Sequence, residues 1–192
     1  MSVCDCPVHN GIDPPTYPLG QPFKDKLTIE PIAQHIAKAI YKAHHSYMPD
    51  IPSVNLTHHG VFIDGCLTGA ITYRHPLISQ LKNISGENIV EVARICIAVD
   101  MPNLASAGLK ASQERFKRAY ADSNGIKLLL TFVREDYQAS MLRALETTGW
   151  ECDGIRETSQ PSNRESAEIH DWDKERWVYY YNRPETEQAT LV

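Results

Sequence analysis

Residues 90–116, with the sequence VEVARICIAVDMPNLASAGLKASQERF, decide the fold class of this chain. The first part is apolar on both faces and rich in β-branched residues, which predicts a central strand over residues 88–100. Residues 102–125 follow with the spacing of a helix that ends at an Asn-Gly pair, and residues 126–133 form a second buried strand. A strand, a helix and a strand in succession require two parallel strands joined by a right-handed crossover.

The elements on either side of this unit extend the same sheet. Thr28 is predicted to cap a helix that runs to about His44, and Asp64-Gly65 between two apolar runs predicts a hairpin. One further helix and two closing strands are predicted over residues 137–148, 150–157 and 175–181. This order predicts an α/β fold, a mixed central sheet with helices on both faces.

The chain is expected to form one domain. Its 192 residues suffice for one full core and are too few for two ordinary domains. Residues 1–27 hold five of the twelve prolines and no apolar period, so we expect an irregular arm there. The domain is expected over residues 28–183 and a short tail over residues 184–192. The longest apolar runs have the length of strands, so no membrane span is expected.

Charge and cysteine content narrow the class of protein. Lys and Arg number 19 and Asp and Glu number 24, a formal net charge of −5. This balance excludes a protein coated in positive charge but permits a local basic groove, because phosphate contacts depend on where the charges lie. The five cysteines are odd in number and scattered, and no secretory signal precedes them. We therefore expect reduced thiols, with Cys66 and Cys96 as small core residues, and a cytoplasmic location.

A ligand site is expected beyond the carboxyl ends of the two parallel strands. Arg94 stands in an apolar run, where its guanidinium must meet a carboxylate or an anionic ligand. Glu91 on the same strand has the opposite parity unless a bulge intervenes. Asn103 can cap the following helix, and Ser106 lies in its first turn, where free amides suit a phosphate, a pyrophosphate or a carboxylate. The alternative for Arg94 is an internal ion pair or a side chain that reaches solvent at the strand end, and the alternative for Asn103 is a purely structural helix cap.

Two pairs of histidines, His44-His45 and His58-His59, flank the loop before the hairpin. Histidine can act as a base, a proton shuttle or a metal ligand near neutral pH. The spacing of the pairs does not match a tight zinc or iron site, so no metal ligands are assigned. A structural role is the alternative for any one of these side chains.

The residues that follow the second parallel strand form another candidate group. Arg134 is a candidate phosphate contact, and Asp136 or Tyr137 is expected at the start of the next helix, on the side of the ligand site. Asp136 can also be simply the cap of that helix. A polar loop that contains Arg164 carries further arginines and tryptophans, so it can track a nucleic-acid backbone and stack bases. A solvent-exposed loop without a binding role is the alternative.

The units VEVARICIAVD–PNLASAGLKASQ and LLLTFV–REDYQASMLRALETTGW resemble the core of the GNAT N-acetyltransferases. In those enzymes a splayed central strand and the helix after it cradle the pyrophosphate of acetyl-CoA. The resemblance implies an acetyltransferase-like fold and, as ligand, acetyl-CoA or another acyl donor. The glycine-rich pyrophosphate loop is absent, and MPNLASAG, with the single Gly108, stands in its place. The implied donor-binding residues are Val99, Asn103, Ala105, Ser106 and Ala107.

A narrower resemblance covers about residues 30–182. HHSYMPDIPSVNLTHHGVFIDGCLTGAITYRHPL, joined to VARICIAVDMPNLAS, is similar to the Mom-type DNA-modification proteins of phages and viruses and their haloarchaeal virus relatives. Mom-type proteins convert adenine in DNA to an N6-carbamoylmethyl derivative, which shields viral DNA from restriction. The resemblance implies a DNA-modifying transferase in the host cytoplasm, with double-stranded DNA and a small-molecule group donor as its partners.

Catalytic residues are implied by the same resemblance, position by position. They fall on His45, Ser46, Arg94, Ser106 and Asp136. Many relatives have a tyrosine five residues before the final Trp, where this chain has Leu145. Tyr137 or Tyr47 is the expected substitute.

The implied reaction sets physical demands on the site. The N6 amine of adenine is a poor nucleophile that is paired and stacked in a duplex, so the base must be flipped out and stacked on aromatic rings. A His or an Asp would remove the amine proton, and Arg94 with the amides near Ser106 would stabilise negative charge on the transferred group. Tyr47, Tyr73 and Tyr137 are expected to stack on the base. The other expected substrate contacts are Arg74, Arg134 and Arg164.

Two alternatives belong to other classes. One is an acetyl-CoA-dependent N-acetyltransferase that acts on a small-molecule amine or a protein amine. The other is a non-catalytic nucleic-acid-binding module that has the same fold and lacks the chemistry.

Overall fold

The computed structural model describes residues 24–45, 50–51, 53–134, 140–156 and 173–183. The strands in these ranges are β1 (Leu27–Pro31), β2 (Thr57–Ile63), β3 (Cys66–Arg74), β4 (Gln80–Leu81), β5 (Ile84–Ser85), β6 (Ile89–Ile97), β7 (Leu128–Arg134), β8 (Glu151–Arg156) and β9 (Lys174–Tyr180). The helices are α1 (Gln34–His44), α2 (Leu104–Phe116) and α3 (Ser140–Thr147), and α2 continues into a π-helical turn, Lys117–Ala121. None of the described helices is long and apolar enough to cross a membrane.

Seven strands form one mixed sheet in the order β1-β2-β3-β6-β7-β9-β8. Every neighbouring pair is antiparallel except β6 and β7, which are parallel and are connected through α2. The parallel pair is short, because its ladder begins at Ile89 opposite Leu128 and ends at Glu91 opposite Leu130. Beyond Glu91 the two strands part, and the sheet opens in its middle at the end where both strands finish.

Two successive residues of β3 show how the helices cover the sheet. Thr72 Oγ1 lies 2.8 Å from Tyr41 OH of α1, whereas Tyr73 OH lies 2.8 Å from Ser112 Oγ of α2. Successive strand residues point to opposite faces, so α1 and α2 cover opposite faces. Helix α3 packs beside α2. The predicted mixed sheet with helices on both faces is confirmed.

The start of the domain differs from the prediction. Thr28 does not cap a helix but lies in β1 opposite Phe62 of β2, and α1 begins only at Gln34. The segment Leu-Thr-Ile-Glu-Pro places apolar residues at alternate positions, which also fits a strand, and the open edge of β2 supplies its hydrogen-bonding partners. Pairing with a neighbouring strand therefore decides the structure of a segment that is ambiguous by itself.

Two hairpin turns show what a short sequence signal can reveal. The predicted turn at Asp64-Gly65 is confirmed, with φ angles of 50° and 79°. Positive φ at both central residues is what a type I′ turn requires. A second hairpin, β4–β5, turns at Lys82-Asn83 with φ angles of 50° and 60° and was not predicted. Strands of two residues are too short to show an alternating pattern.

The cysteines differ from expectation at one position. Cys66 is disulfide-bonded, so the expectation of a reduced core thiol there is wrong. Cys96 and Cys152 are free thiols. Cys96 is buried in the core, and burial raises the pKa of its thiol to about 12. Its thiol therefore stays protonated near neutral pH and acts as a small core side chain, as expected.

A buried polar network joins β2, β3 and α2. His59 Nδ1 lies 2.9 Å from Ser112 Oγ, and Tyr73 OH lies 2.8 Å from the same oxygen. The Tyr73 ring stacks on Phe116, with ring centroids 4.2 Å apart and planes within 3°. His59 is only 3% exposed, and burial lowers its pKa to about 4. The imidazole is therefore neutral at pH 7, and its protonation opposes folding.

We expect His59 to make the protein less stable as the pH falls from 6.5 to 4. In this range the unfolded chain, with the ordinary histidine pKa of 6.5, binds a proton that the folded protein does not bind until about pH 4. The free energy of unfolding therefore decreases by up to roughly 3 kcal/mol through this residue. His59→Gln, whose amide can still bond Ser112, should be less stable at pH 7 but should lose this part of the pH dependence.

Urea unfolding of both proteins at pH 7 and pH 4.5 measures the difference. His35→Gln removes an exposed imidazole of α1 and should keep the native pH dependence. If His59→Gln loses as much stability between the two pH values as the native protein does, the buried imidazole is not the source.

Candidate active site

The opening between β6 and β7 lies at the carboxyl ends of the parallel strands, where the sequence predicted the ligand site. Thr131 Oγ1 of β7 donates to the Val92 carbonyl of β6 at 2.8 Å, which bridges the strands directly after their ladder stops. The residues that follow on β6 have no partner strand on that side within the described part of the chain. In this part of β6, Ala93, Arg94, Ile95 and Ile97 are half-buried, whereas Cys96 is buried.

A β-bulge in β6 sets the direction of Arg94. Thr72 of β3 pairs with Arg94 and the next residue, Tyr73, pairs with Val92, so Ala93 is left without a partner in this ladder. The extra residue reverses the parity of the strand. It brings Arg94 to the face of the sheet that α1 covers. The bulge that the sequence left open as an alternative is therefore present.

Two backbone carbonyls hold the half-buried Arg94 side chain at the opening. Its Nε donates to the Asp50 carbonyl at 3.0 Å, and its Nη1 donates to the Ala93 carbonyl at 2.6 Å. Asp50 belongs to the segment that follows α1, so the guanidinium ties that segment to the central strand. A guanidinium with its fork of N–H donors is suited to bind a negatively charged ligand.

His45 lies beside Arg94 at the end of α1. Its backbone N–H donates to the Tyr41 carbonyl at 2.9 Å, and its ring meets the edge of the Tyr41 ring at 6.0 Å between centroids. Burial, and then the charge of Arg94, lowers the pKa of His45 to about 4. His45 is therefore a neutral imidazole at pH 7, and it is close enough to Arg94 to feel its charge.

The start of α2 forms the other side of the site. Asn103 is the N-cap residue, but its φ of 64° is left-handed and its side chain makes no capping hydrogen bond, so the expected capping bond is absent. A side-chain cap requires an extended backbone at this residue. Ser106 Oγ instead donates to the Asn103 carbonyl at 3.0 Å. The Leu104 N–H donates to the Met101 carbonyl at 3.2 Å, so the N–H groups of Ala105 and Ser106 are the first-turn amides that suit an anion.

The first turn of α2 fits an anionic group but not a glycine-rich pyrophosphate loop. Val99 is buried, and Ala105, Ser106 and Ala107 are small and half-buried. The one nearby glycine, Gly108, faces the sheet, because a Cβ there would lie 3.2 Å from Val61 Cγ1. It therefore serves the packing of α2 on β2 rather than the approach of a ligand.

The structure contradicts two of the predicted substrate contacts. Tyr73 is fully buried against Ser112 and Phe116, so it cannot stack on a flipped base. Tyr73 lies on the face of β3 that packs against α2, and a single sequence does not reveal which face of a strand a helix will cover. Arg74 Nη2 donates to both carboxylate oxygens of Glu91, at 2.7 and 2.8 Å, so its guanidinium is engaged inside the protein.

The structure brings His45 close to Arg94 and places Arg134 at the end of β7. Ser106 lies in the first turn of α2, which follows the carboxyl end of β6. The residues that lie outside the described ranges are Ser46, Tyr47, Asp136, Tyr137 and Arg164. Among the described residues, no group of three or more His, Cys, Asp or Glu side chains could hold a metal ion.

Two further basic residues lie near the site, Lys174, which was not predicted, and Arg156, one of the arginines that the sequence assigned to a possible nucleic-acid-binding loop. Lys174 of β9 is opposite Arg134 of β7 on one side and opposite Arg156 of β8 on the other, and we call these three residues the cationic row. Burial, and then the charges of Arg94 and Arg156, lowers the pKa of Lys174. Only strand pairing brings the three cations together, so no local sequence signal could have shown their proximity.

Solved structures share this fold. The ribosomal-protein-S18-alanine N-acetyltransferase of Escherichia coli superposes with a TM-score of 0.55 and 14% identity, over 82% of this chain and 96% of that one. A GNAT family acetyltransferase of Elizabethkingia anophelis with acetyl-CoA bound gives 0.53 and 13%, over 81% and 99%. A probable acetyltransferase of Staphylococcus epidermidis gives 0.57 and 11%, over 81% and 99%. The predicted acetyltransferase-like fold is confirmed.

The sequence itself identifies a family. No curated protein matches it significantly. The model of the Mom protein family matches residues 26–141, which include β1 to β7, α1 and α2 and thus both sides of the opening. This chain, with its GNAT-type fold, therefore belongs to the Mom protein family.

Proposed function

We propose that this protein is a transferase that adds a small acyl-derived group, of the carbamoylmethyl type, to N6 of adenine in double-stranded DNA. Such a modification would protect viral DNA from restriction. The observation that supports the proposal is a neutral His45 beside the guanidinium of Arg94 at the opening of the sheet. The start of α2 follows the carboxyl end of the same strand, β6. Membership of the Mom family supports adenine as the acceptor.

The group donor would lie in the opening, with its negative charge near Arg94 and the first-turn amides of α2. The acetyltransferase of Elizabethkingia anophelis has the same fold and was solved with acetyl-CoA bound, so the fold can hold an acyl donor. In this chain the packing role of Gly108 removes the glycine cradle for a pyrophosphate. An anionic donor that is held mainly by its charge fits the site better.

The acceptor must leave the base stack before it can react. In the transfer, a bond forms between N6 and the donor carbon, the bond from that carbon to its leaving group breaks, and N6 loses one proton. A neutral imidazole can accept that proton, which is the role proposed for His45. Arg94 would stabilise the negative charge that develops on the transferred group or its leaving group.

DNA from cells that make the native protein should contain a modified adenine, detected by mass spectrometry of the nucleosides. Arg94→Gln should lower its amount by about 100-fold, because the charge that stabilises the transition state is lost. The unfolding temperature should change little, since Arg94 is half-buried and bonds backbone carbonyls. Lys127→Gln removes an exposed cation at the opposite end of β7 and should leave the modification intact. Unmodified adenine in cells that contain soluble native protein would refute the proposal.

The pH dependence of the transfer tests the role of His45. Its pKa of about 4 keeps the imidazole neutral at higher pH, so the rate should stay flat from pH 8 to about pH 5 and fall near pH 4. Initial rates on duplex DNA, with circular dichroism to confirm folding at each pH, measure this profile. A half-maximal rate near pH 6.5 that disappears in a different histidine variant would assign the proton transfer to another residue.

An acetyl-CoA-dependent N-acetyltransferase of a small-molecule or protein amine is the second candidate. The fold it shares with acetyltransferases favours it. Calorimetric titration with CoA separates the two functions, because tight CoA binding together with unmodified DNA would support the second candidate. DNA binding without any product would support a non-catalytic module instead.

A further inference from the structure

We infer that the cationic row, Arg134, Lys174 and Arg156, binds the sugar-phosphate backbone of the DNA beside the opening. The inference rests on the proposed DNA substrate and assigns the surface that would hold it. The row crosses three adjacent strands at the end of the sheet where β7 finishes and β9 begins.

Strand pairing places the three cations on one face. Arg134 is opposite Lys174, and Lys174 is opposite Arg156, in two antiparallel ladders. Residues that are directly opposite each other point to the same face of a sheet. The Arg156 Cζ lies 5.7 Å from the centroid of the Phe132 ring, and Phe132 is two residues before Arg134 on the same side of β7. The three basic side chains therefore lie next to one another.

The direct pairing of Lys174 with Arg156 is unfavourable for the isolated protein. Like charges that are directly opposite each other destabilise a sheet. Within the described part of the chain, neither Lys174 nor Arg156 forms an ion pair, whereas the neighbouring Arg176 pairs with Asp153 at 2.5 Å. Like-charge contacts of this kind are compensated when an anion lies across them. The burial and neighbouring cations that lower the pKa of Lys174 are consistent with this cost.

The spacing of the row suits a chain of phosphates. Adjacent strands are about 4.8 Å apart, so the three side chains span about 10 Å. Successive phosphates of one DNA strand advance by about 3.4 Å along the helix axis, so the row can contact two or three of them. The nearness of Arg94 to Lys174 directs this contact towards the opening. The backbone would be held where a flipped base can enter the site.

The concentration of positive charge is local. The whole chain has a formal net charge of −5, so its average surface does not attract DNA. Lys127, which precedes β7, lies about 20 Å from Arg134 along the strand. It therefore provides a matched control for a neutralised cation outside the row.

The salt dependence of DNA binding tests the row. Fluorescence anisotropy of a labelled duplex is measured with the native protein, Lys174→Gln, Arg156→Gln and the double variant at about 50 to 200 mM salt. Each single variant should reduce the slope of log affinity against log salt by about 1, equally for duplexes of different sequence. The double variant should reduce it by about 2 and weaken binding at 0.1 M salt by roughly 30- to 100-fold. Lys127→Gln should keep the native slope.

The outcomes separate this inference from the proposed function. If DNA from the cells contains no modified adenine but the row variants weaken DNA binding as described, the result supports DNA binding by the cationic row and refutes the transfer proposal. If adenine is modified and the double variant, shown to be folded by circular dichroism, binds DNA with native affinity and slope, the row is overturned. Native protein that binds polyglutamate and not DNA would assign the row to an acidic protein partner and overturn the inference. Native protein that binds neither would overturn it as well.

Discussion

The early end of the parallel β6–β7 ladder is the constraint on which the rest of the structure depends. Three residue pairs hold the strands together, from Ile89 to Glu91, and the crossover through α2 then has room to begin inside the gap. Within the described part of the chain, β6 and β7 form no backbone ladder beyond Glu91, and buried donors and acceptors without partners are costly. A ligand in the gap can form hydrogen bonds with the backbone of β6 in place of β7. The residues that open the sheet are therefore the same residues that are proposed to bind the ligand.

The sequence predicted those parts of the fold that have strong local signals. The long apolar strand, the Asn-Gly stop of the following helix and the Asp64-Gly65 turn each report a local preference. Thr28 was misassigned because the strand that fixes its conformation, β2, is about 30 residues further along the chain. The β4–β5 hairpin was missed because it is shorter than any periodic pattern. Local patterns identify elements, whereas pairing over long distances decides ambiguous segments.

The residues of the candidate site also differ in how much of their role the sequence can reveal. The sequence singles out Arg94 because a cation in an apolar strand needs a polar partner, and the structure shows that partner in two backbone carbonyls. For Ser106 the sequence supplies only its position in the first turn of the helix, which the structure confirms. Tyr73 could not be judged, because whether its ring enters the core depends on which face of β3 meets α2. The sequence suggested Arg156 as one arginine of a possible nucleic-acid-binding loop but could not place it beside Lys174, because the two are 18 residues apart and become neighbours only through the β8–β9 ladder. Residue type suggests a chemical role, and strand register determines whether the residue can perform it.

The β-bulge at Ala93 gives β6 one residue more than the part of β3 that lies opposite it. Removing Ala93 would leave Thr72 opposite Arg94 and Tyr73 opposite Val92, so the ladder would become regular and Arg94 would stay on the face that α1 covers. The change would instead remove the local bend and the increased twist that a bulge gives a strand. Homologous chains that lack this one residue can therefore keep the facing of Arg94 and Cys96, on a straighter central strand.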